Sequence, residues 1–122
     1  MSLTIAETAE RTGLTAHTLR YYERDGLMLS VDRSASGHRR YDEGDLEWIG
    51  MISRLRRTGM PIRDVRRYAE LVRAGNDTEA ERMDILQRHR ELVRAQLEET
   101  QQHLELIDRK IEWYAGRAGS CS

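Results

Sequence analysis

The sequence predicts a mainly α-helical protein, a winged helix-turn-helix domain followed by a long coiled-coil helix, and three observations support this prediction. Residues that start and end helices alternate through the first 60 positions, so the helices there are short. Between the second and third of these helices, arginines flank a turn rich in serine and glycine. From residue 78 to residue 114, no glycine or proline interrupts a pattern of apolar residues spaced three and four apart.

The first two helices are predicted from the residues at their ends. Thr4 and Glu7 form a capping box, in which each side chain bonds the backbone amide of the other residue. A glycine-containing turn then leads into a second helix, with Thr15 as its N-cap and Gly26 just past its C-terminus. Two short helices joined in this way form a helix-turn-helix, here at about residues 4–25. An αα-hairpin without a binding partner would show the same pattern.

The second helix has two chemically different faces when its residues are placed at about 100° each. The side predicted to face the core groups Ala16, Leu19, Tyr22 and Glu23. The opposite side groups His17, Thr18, Arg20, Tyr21 and Arg24. Two cations, a hydroxyl, a ring and an imidazole are typical of contacts to phosphates and base edges in a DNA major groove. An ordinary amphipathic helix is the alternative interpretation.

A small β-loop, or wing, is predicted at about residues 27–41. An apolar run is followed by Arg33 and a Ser-Ala-Ser-Gly turn, and the second arm contains His38, Arg39 and Tyr41. Cations on both arms suit contact with a DNA backbone, so that the helix and the wing together form a DNA-docking unit. A solvated hairpin is the alternative.

These elements, in this order and spacing, resemble the DNA-binding domain of the MerR family, the mercury-resistance-type regulators. The resemblance rests on TLRYYE in the second helix, GL after it, an arginine, GHRRY, and an acidic helix start, from about Leu3 to Leu71. His38 departs from the family pattern, because many members have tyrosine there. The long helix that follows also fits the family, in which the dimer helices pair antiparallel.

The resemblance implies DNA contacts at particular positions of this chain. They are His17, Thr18, Arg20 and Tyr21 in the second helix, and Arg33, His38, Arg39 and Tyr41 in the wing. Arg20 is the best candidate for a base edge or a clamped phosphate, because a guanidinium can bond two acceptors at once. The resemblance also implies promoters whose spacer is too long by about one or two base pairs, which the regulator bends and untwists for RNA polymerase.

Two further helices complete a domain predicted at residues 1–75. Acidic residues at 42–45 start the third helix, whose wide apolar surface comprises Leu46, Trp48, Ile49, Met51, Ile52 and Leu55. We interpret one edge of this surface as a contact with a partner chain, although a fully buried helix has the same pattern. Pro61 begins the fourth helix, whose inward stripe is Ile62, Val65, Ala69 and Val72. The arginines of this region predict a solvated face or a DNA backbone contact, and they are Arg54, Arg56, Arg57, Arg63, Arg66 and Arg67.

A hinge at residues 74–77 precedes a long helix predicted at 76–115, with a second capping box at Thr78 and Glu81 and a flexible tail at 116–122. The 37 positions from Thr78 to Tyr114 span roughly 55 Å at about 1.5 Å per residue. An apolar stripe of this length needs a second chain to cover it, which predicts a homodimer. The predicted dimer seam consists of Met83, Leu86, Val93, Leu97, Leu104, Ile107 and Ile111, and Arg90 and Thr100 interrupt it.

Charge is unevenly distributed along a chain whose formal net charge is −1. Residues 1–76 contain 13 arginines and 11 acidic residues, a net charge of +2. Residues 77–122 contain 7 basic and 10 acidic residues, a net charge of −3. The basic character therefore lies in the part that carries the predicted DNA surface.

Several other classes of function find no support in the sequence. A single cysteine, Cys121, excludes an intrachain disulfide and fits a reducing cytoplasm, and it is predicted to be an inert thiol, although two copies in a dimer could pair or bind a soft metal. No apolar run approaches the roughly 20 residues that span a membrane. No catalytic or metal-binding motif is found, so we expect neither an enzyme nor a cofactor.

The sequence thus predicts a transcriptional regulator that binds a two-fold symmetric promoter site in double-stranded DNA as a homodimer and acts there with RNA polymerase. The sequence names no effector. Two alternatives belong to other classes of protein. One is a coiled-coil adaptor whose winged helix binds protein, and the other is an architectural protein similar to phage excisionases, against which the long dimer helix argues.

Overall fold

A computed structural model describes residues 2–29, 32–33, 37 and 39–120 of this chain. Within these residues the chain is mainly α-helical, with one short pair of strands. The elements are α1 (Ile5–Thr12), α2 (Ala16–Arg24), β1 (Asp32–Arg33), β2 (Arg39–Arg40), α3 (Glu43–Arg57), α4 (Ile62–Ala74), a 3-10 turn (Asn76–Thr78) and α5 (Glu79–Ser120). The chain divides into two compact units, Met1–Leu86 and Gln87–Ser122, and the boundary falls within α5.

Local hydrogen bonds set the starts of α1 and α3. The predicted capping box of α1 is confirmed, since the Glu7 amide donates to Thr4 Oγ1 at 3.2 Å and the Thr4 amide donates to Glu7 Oε1 at 2.9 Å. Because the Glu7 carboxylate accepts this bond from the Thr4 backbone, its pKa is lowered below the ordinary value. Asp42 and Asp45 form the same reciprocal arrangement at the start of α3.

The core of the first unit gathers side chains from α2, α3, α4 and the segments between them. Its buried members are Leu19, Tyr22, Leu27, Met28, Tyr41, Ile49, Ile52, Met60 and Val65. Trp48 and Leu55 of α3 pack against this core at its edge. Ile85 of α5 also packs against it, which explains why the first turns of α5 belong to the first unit.

The inward face of α4 differs in part from the predicted stripe. Val65 and Ala69 are buried as predicted, and Ile62 and Val72 are half-buried. Tyr68 and Leu71 are buried as well, although the periodicity did not indicate them. The Tyr68 ring stacks on Trp48 of α3, with ring centroids 5.7 Å apart and planes 10° apart, so the two helices are joined by an aromatic pair.

The connection between α4 and α5 is hydrogen-bonded. Gly75 has a φ of +115°, which favours glycine, and the 3-10 turn follows it directly. The predicted capping box at Thr78 is wrong, because the Thr78 hydroxyl points back to α4. It donates to the carbonyl oxygens of Leu71 at 2.6 Å and Gly75 at 2.7 Å. An ion pair between Arg67 and Glu81, with a shortest distance of 3.2 Å, also links the two helices.

The second unit consists of the remainder of α5. The helix passes through Gly116 and ends at Ser120, so the predicted end near residue 115 is wrong. A glycine inside a helix costs only about 1 kcal/mol relative to alanine, which does not by itself stop a long helix. Cys121 lies outside the described residues. In the described part of the chain, no helix is both long enough and apolar enough to cross a membrane.

We expect Trp48→Phe to destabilise the protein by about 1–3 kcal/mol. The Trp48 indole donates to the carbonyl oxygen of Leu27 at 2.7 Å, and phenylalanine leaves that carbonyl without this donor beside a fully buried side chain. Urea unfolding monitored by circular dichroism measures the change. The matched control is Trp113→Phe, at a tryptophan that is 49% exposed, for which we expect a change within about 0.5 kcal/mol. Equal effects of the two substitutions would contradict the assignment.

Candidate nucleic-acid interface

The N-terminus of α2 is fixed by Thr15. This residue is extended, with φ −86° and ψ 157°, and its Oγ1 accepts a hydrogen bond from the Thr18 amide at 3.0 Å. The Thr15 hydroxyl also donates to Thr18 Oγ1 at 3.0 Å. The Thr18 hydroxyl, which accepts this bond, keeps its own proton for an outside acceptor such as a phosphate oxygen.

The C-terminus of α2 is closed by a Schellman motif at Gly26. Gly26 has a φ of +76°, its amide donates to the Glu23 carbonyl at 3.2 Å, and the Leu27 amide donates to the Tyr22 carbonyl at 2.8 Å. Between the two ends, Leu19 and Tyr22 are buried, as predicted. Burial raises the pKa of the Tyr22 hydroxyl above its ordinary value, so this tyrosine is a neutral core residue.

The opposite face of α2 carries the predicted contact residues. His17, Arg20 and Arg24 are exposed there, and Thr18 and Tyr21 are half-buried. Within the described residues, Arg20 and Arg24 form neither a salt bridge nor a side-chain hydrogen bond. Tyr21 packs against the core at its edge, which restricts the ring and leaves only part of it accessible. The face therefore presents two unpaired cations and an imidazole to an external ligand.

The wing is present as a pair of short antiparallel strands. Its register pairs Asp32 with Arg40 and Arg33 with Arg39, so two predicted contact residues occupy opposite positions on neighbouring strands. The side chains of Arg33 and Arg39, and His38 as a whole, lie outside the described residues. The backbone thus confirms a β-loop between α2 and α3, whereas these three contacts stay predictions.

The second arm of the wing is attached to the start of the chain. The Leu3 amide donates to the Tyr41 carbonyl at 2.6 Å, and the Tyr41 amide donates to the Leu3 carbonyl at 2.9 Å. Arg40 donates to the carbonyl of Ser2 at 2.9 Å. The predicted DNA contact at Tyr41 is wrong, because its side chain is 0% exposed and belongs to the core. The bridge to Leu3 ends the wing at this residue and directs the Tyr41 ring inward.

A row of four backbone carbonyls at the end of α2 is bound by side chains of α3 and α4. Arg66 Nε donates to the Asp25 carbonyl at 2.9 Å, and Trp48 Nε1 donates to the Leu27 carbonyl at 2.7 Å. Arg73 Nη1 donates to the carbonyls that flank Leu27, at Gly26 (2.9 Å) and Met28 (2.7 Å). We call Trp48, Arg66 and Arg73 the carbonyl clamp. No local sequence pattern predicts the carbonyl clamp, because its donors and acceptors are 21 to 47 residues apart.

The arginines predicted as a solvated or phosphate-binding group have different roles. Arg56 donates to the Met60 carbonyl at 2.8 Å, Arg66 belongs to the carbonyl clamp, and Arg67 pairs with Glu81. Arg54, Arg57 and Arg63 are exposed and make no ion pair within the described part of the chain. Only these latter three therefore remain candidates for phosphate contact. Among the described residues, no three His, Cys, Asp or Glu side chains are grouped to hold a metal ion.

Comparison with known proteins identifies relatives over most of the chain. The family described as MerR HTH family regulatory protein matches residues 3–71, and the family described as MerR, DNA binding matches residues 46–110. An uncharacterised HTH-type transcriptional regulator of Haemophilus influenzae is 36% identical over 114 residues, which cover 93% of this chain and 84% of that protein. The HTH-type transcriptional regulator AdhR of Bacillus subtilis is 45% identical over 84 residues, 69% of this chain and 60% of AdhR.

A solved structure shows the same fold. The crystal structure of HiNmlR, a MerR family regulator lacking the sensor domain, bound to promoter DNA, is similar to this chain with a TM-score of 0.87 and 36% sequence identity. The similarity covers 93% of this chain and 90% of that chain. These relatives are transcriptional regulators rather than enzymes.

Proposed function

The chain belongs to the MerR family of helix-turn-helix transcriptional regulators, and from this premise we propose that it binds a two-fold symmetric promoter site as a homodimer. Each protomer places α2 in a major groove and its wing along the neighbouring backbone. The partners are double-stranded DNA, a second copy of the chain and RNA polymerase at the promoter. The structure of HiNmlR, which was solved with promoter DNA, supports the choice of ligand.

The exposed face of α2 is the observation on which the proposal depends. The helix is held by its buried face and closed at both ends, so that His17, Arg20 and Arg24 are offered on a fixed surface. Unpaired guanidinium groups attract phosphates and can bond two acceptors of a guanine base at once. Arg20 is the proposed base-reading residue, and Thr18, Tyr21, Arg33, His38 and Arg39 complete the proposed contact surface.

Exposed apolar side chains on α5 support the homodimer. Leu97 is 68% exposed, Leu104 47%, Ile107 56% and Ile111 59%, and they share one side of the helix at spacings of three, four and seven residues. Single chains rarely expose such a continuous apolar stripe to water, whereas pairing with a second α5 covers it. Met83, Leu86 and Val93 extend the same proposed seam toward the N-terminus of the helix.

We further propose that the dimer activates transcription by distorting the promoter. In the proposed dimer, the paired α5 helices connect the two α2 helices, and the DNA bends or untwists to meet both. Smooth bending of a site of this size costs roughly 1–6 kcal/mol, which several arginine–phosphate contacts can offset. A promoter with an overlong spacer would thereby present its two elements to RNA polymerase on the correct face.

We expect Arg20→Ala to weaken binding to the cognate site by about 1–3 kcal/mol, because the base-edge contact is lost. Binding to unrelated DNA should weaken less, since that binding depends on phosphates alone. Fluorescence anisotropy at several salt concentrations measures both affinities. Arg94→Ala removes the same charge outside α2 and the wing and serves as the matched control. An Arg20→Ala protein with unchanged affinity for both DNAs would show that the surface is misassigned.

We expect Leu104→Glu to dissociate or unfold the dimer, because an unpaired carboxylate in an apolar seam costs several kcal/mol, on the order of 3–5. Leu106→Glu is the matched control, since Leu106 lies two residues away on the opposite side of α5 and should tolerate the charge. Multi-angle light scattering gives the mass of each variant. A Leu104→Glu protein with the mass of a dimer would exclude this seam.

Shortening the spacer of the target promoter by about two base pairs tests the distortion mechanism. In transcription assays with purified polymerase, the shortened promoter should be more active without the regulator and should gain nothing when it is added. The physical reason is that the two polymerase-binding elements then already lie on the correct face. If the shortened promoter still requires the regulator, activation proceeds by direct contact with polymerase instead.

A further inference from the structure

The carbonyl clamp joins the end of α2, the proposed recognition helix, to α3 and α4. Four consecutive carbonyls, from Asp25 to Met28, accept hydrogen bonds of 2.7 to 2.9 Å from Trp48, Arg66 and Arg73. Arg73 Nη1 carries two hydrogens and uses them on the carbonyls of residues 26 and 28, so this one group spans the turn after α2. These hydrogen bonds hold the backbone of the segment that follows α2, in addition to the burial of Leu27 and Met28 and the ion pair of Asp25 with Arg66.

The same part of α4, residues 66–73, is also bonded to the start of α5. Thr78 donates to the Leu71 carbonyl at 2.6 Å, and Arg82 Nε donates to Thr78 Oγ1 at 3.1 Å. The ion pair of Arg67 with Glu81 adds a second connection. Residues 66–73 of α4 are thus bonded both to the segment that follows α2 and to the first turns of α5.

The wing is held from both sides as well. Its first arm follows Met28, the last residue bound by the clamp, and its second arm is bonded to Leu3 through Tyr41. The recognition helix and the wing are consequently held by the same surrounding elements, and α4 connects them to the start of α5. Loss of the clamp would weaken the attachment of the end of α2 to α3 and α4 without removing any group from its DNA-facing side.

We propose that Arg73, assisted by Arg66, is a positioning residue that sets which separation of half-sites the dimer accepts. The proposal rests on the function proposed above, since it requires a dimer that grips two half-sites. Arg73 contacts no DNA in this role, and it acts by fixing the orientation of α2 and the wing on α4. With this joint intact, α2 and the wing of each protomer keep one orientation on α4, whereas without it they can adapt to each half-site independently.

The test uses the symmetric duplex that the wild-type protein selects from a random DNA library. Derivatives change the separation of its half-sites by one or two base pairs, and one derivative keeps a single half-site. Wild-type affinity should fall at least about tenfold when the separation changes by two base pairs, because both half-sites can no longer be gripped together. For Arg73→Gln, the affinities for duplexes of different half-site separation should agree within about threefold. Its affinity for the single half-site should differ from that of the wild type by less than about twofold.

Arg63→Gln is the matched control, since it removes the same charge from the same helix at an exposed position. It should shift all affinities by one common factor and keep the steep dependence on separation. Arg73→Lys keeps the positive charge and has a shorter donor, so the dependence of its affinity on half-site separation should be intermediate. It replaces Arg73→Gln if that variant fails to fold. If Arg73 were important only for folding, its loss would lower the fraction of active protein equally for every duplex. The proposal is therefore overturned if the affinities of Arg73→Gln and Arg73→Lys depend on half-site separation as steeply as those of the wild type. Failure of the wild type to select any duplex would contradict the proposed function instead.

Discussion

The structure of the first unit depends on one constraint, which is that the short helix α2 must keep one face free. The recognition helix α2 has nine residues, fewer than the roughly 12–15 that an isolated helix needs to persist in water. Its stability must therefore come from the buried face around Leu19 and Tyr22 and from the caps at Thr15 and Gly26. The surrounding helices hold it only from the inside and from its end, which leaves its outer face for a ligand.

This constraint explains why some arginines bind backbone carbonyls and others are exposed on the outer face of α2. Those that bind backbone carbonyls, such as Arg56, Arg66 and Arg73, satisfy polar groups at helix ends and turns, where cations are favoured. Those on the outer face of α2, Arg20 and Arg24, have no such partner in the described structure. A chain with a net charge of −1 can therefore still present a local cationic surface, because its position, not the total charge, determines attraction to phosphate.

The sequence predicted the features that depend on neighbouring residues. The capping box of Thr4, the N-cap at Thr15 and the break at Gly26 are local, and periodicity separated the two faces of α2. Most of the failures concern side chains that bond or pack against another element, and the end of α5 was misplaced because one glycine does not stop a long helix. Tyr41 turns inward because it bridges Leu3, Thr78 bonds back to α4, and Arg73 reaches carbonyls 45 and 47 residues away. Such contacts form only when the chain has folded, so the spacing and composition of residues do not predict them.

The apolar stripe of α5 and the outer face of α2 would bind their partners through different physical interactions. The apolar stripe of α5 gains free energy by leaving water, a contribution that salt does not screen. The outer face of α2 acts through charge, and each phosphate contact releases counterions, so its affinity falls as salt rises. Binding through these two surfaces would therefore respond differently to salt, which weakens the contacts of α2 with phosphate and does not weaken apolar contacts of α5. The homodimer proposed above would therefore stay assembled at salt concentrations that release it from DNA.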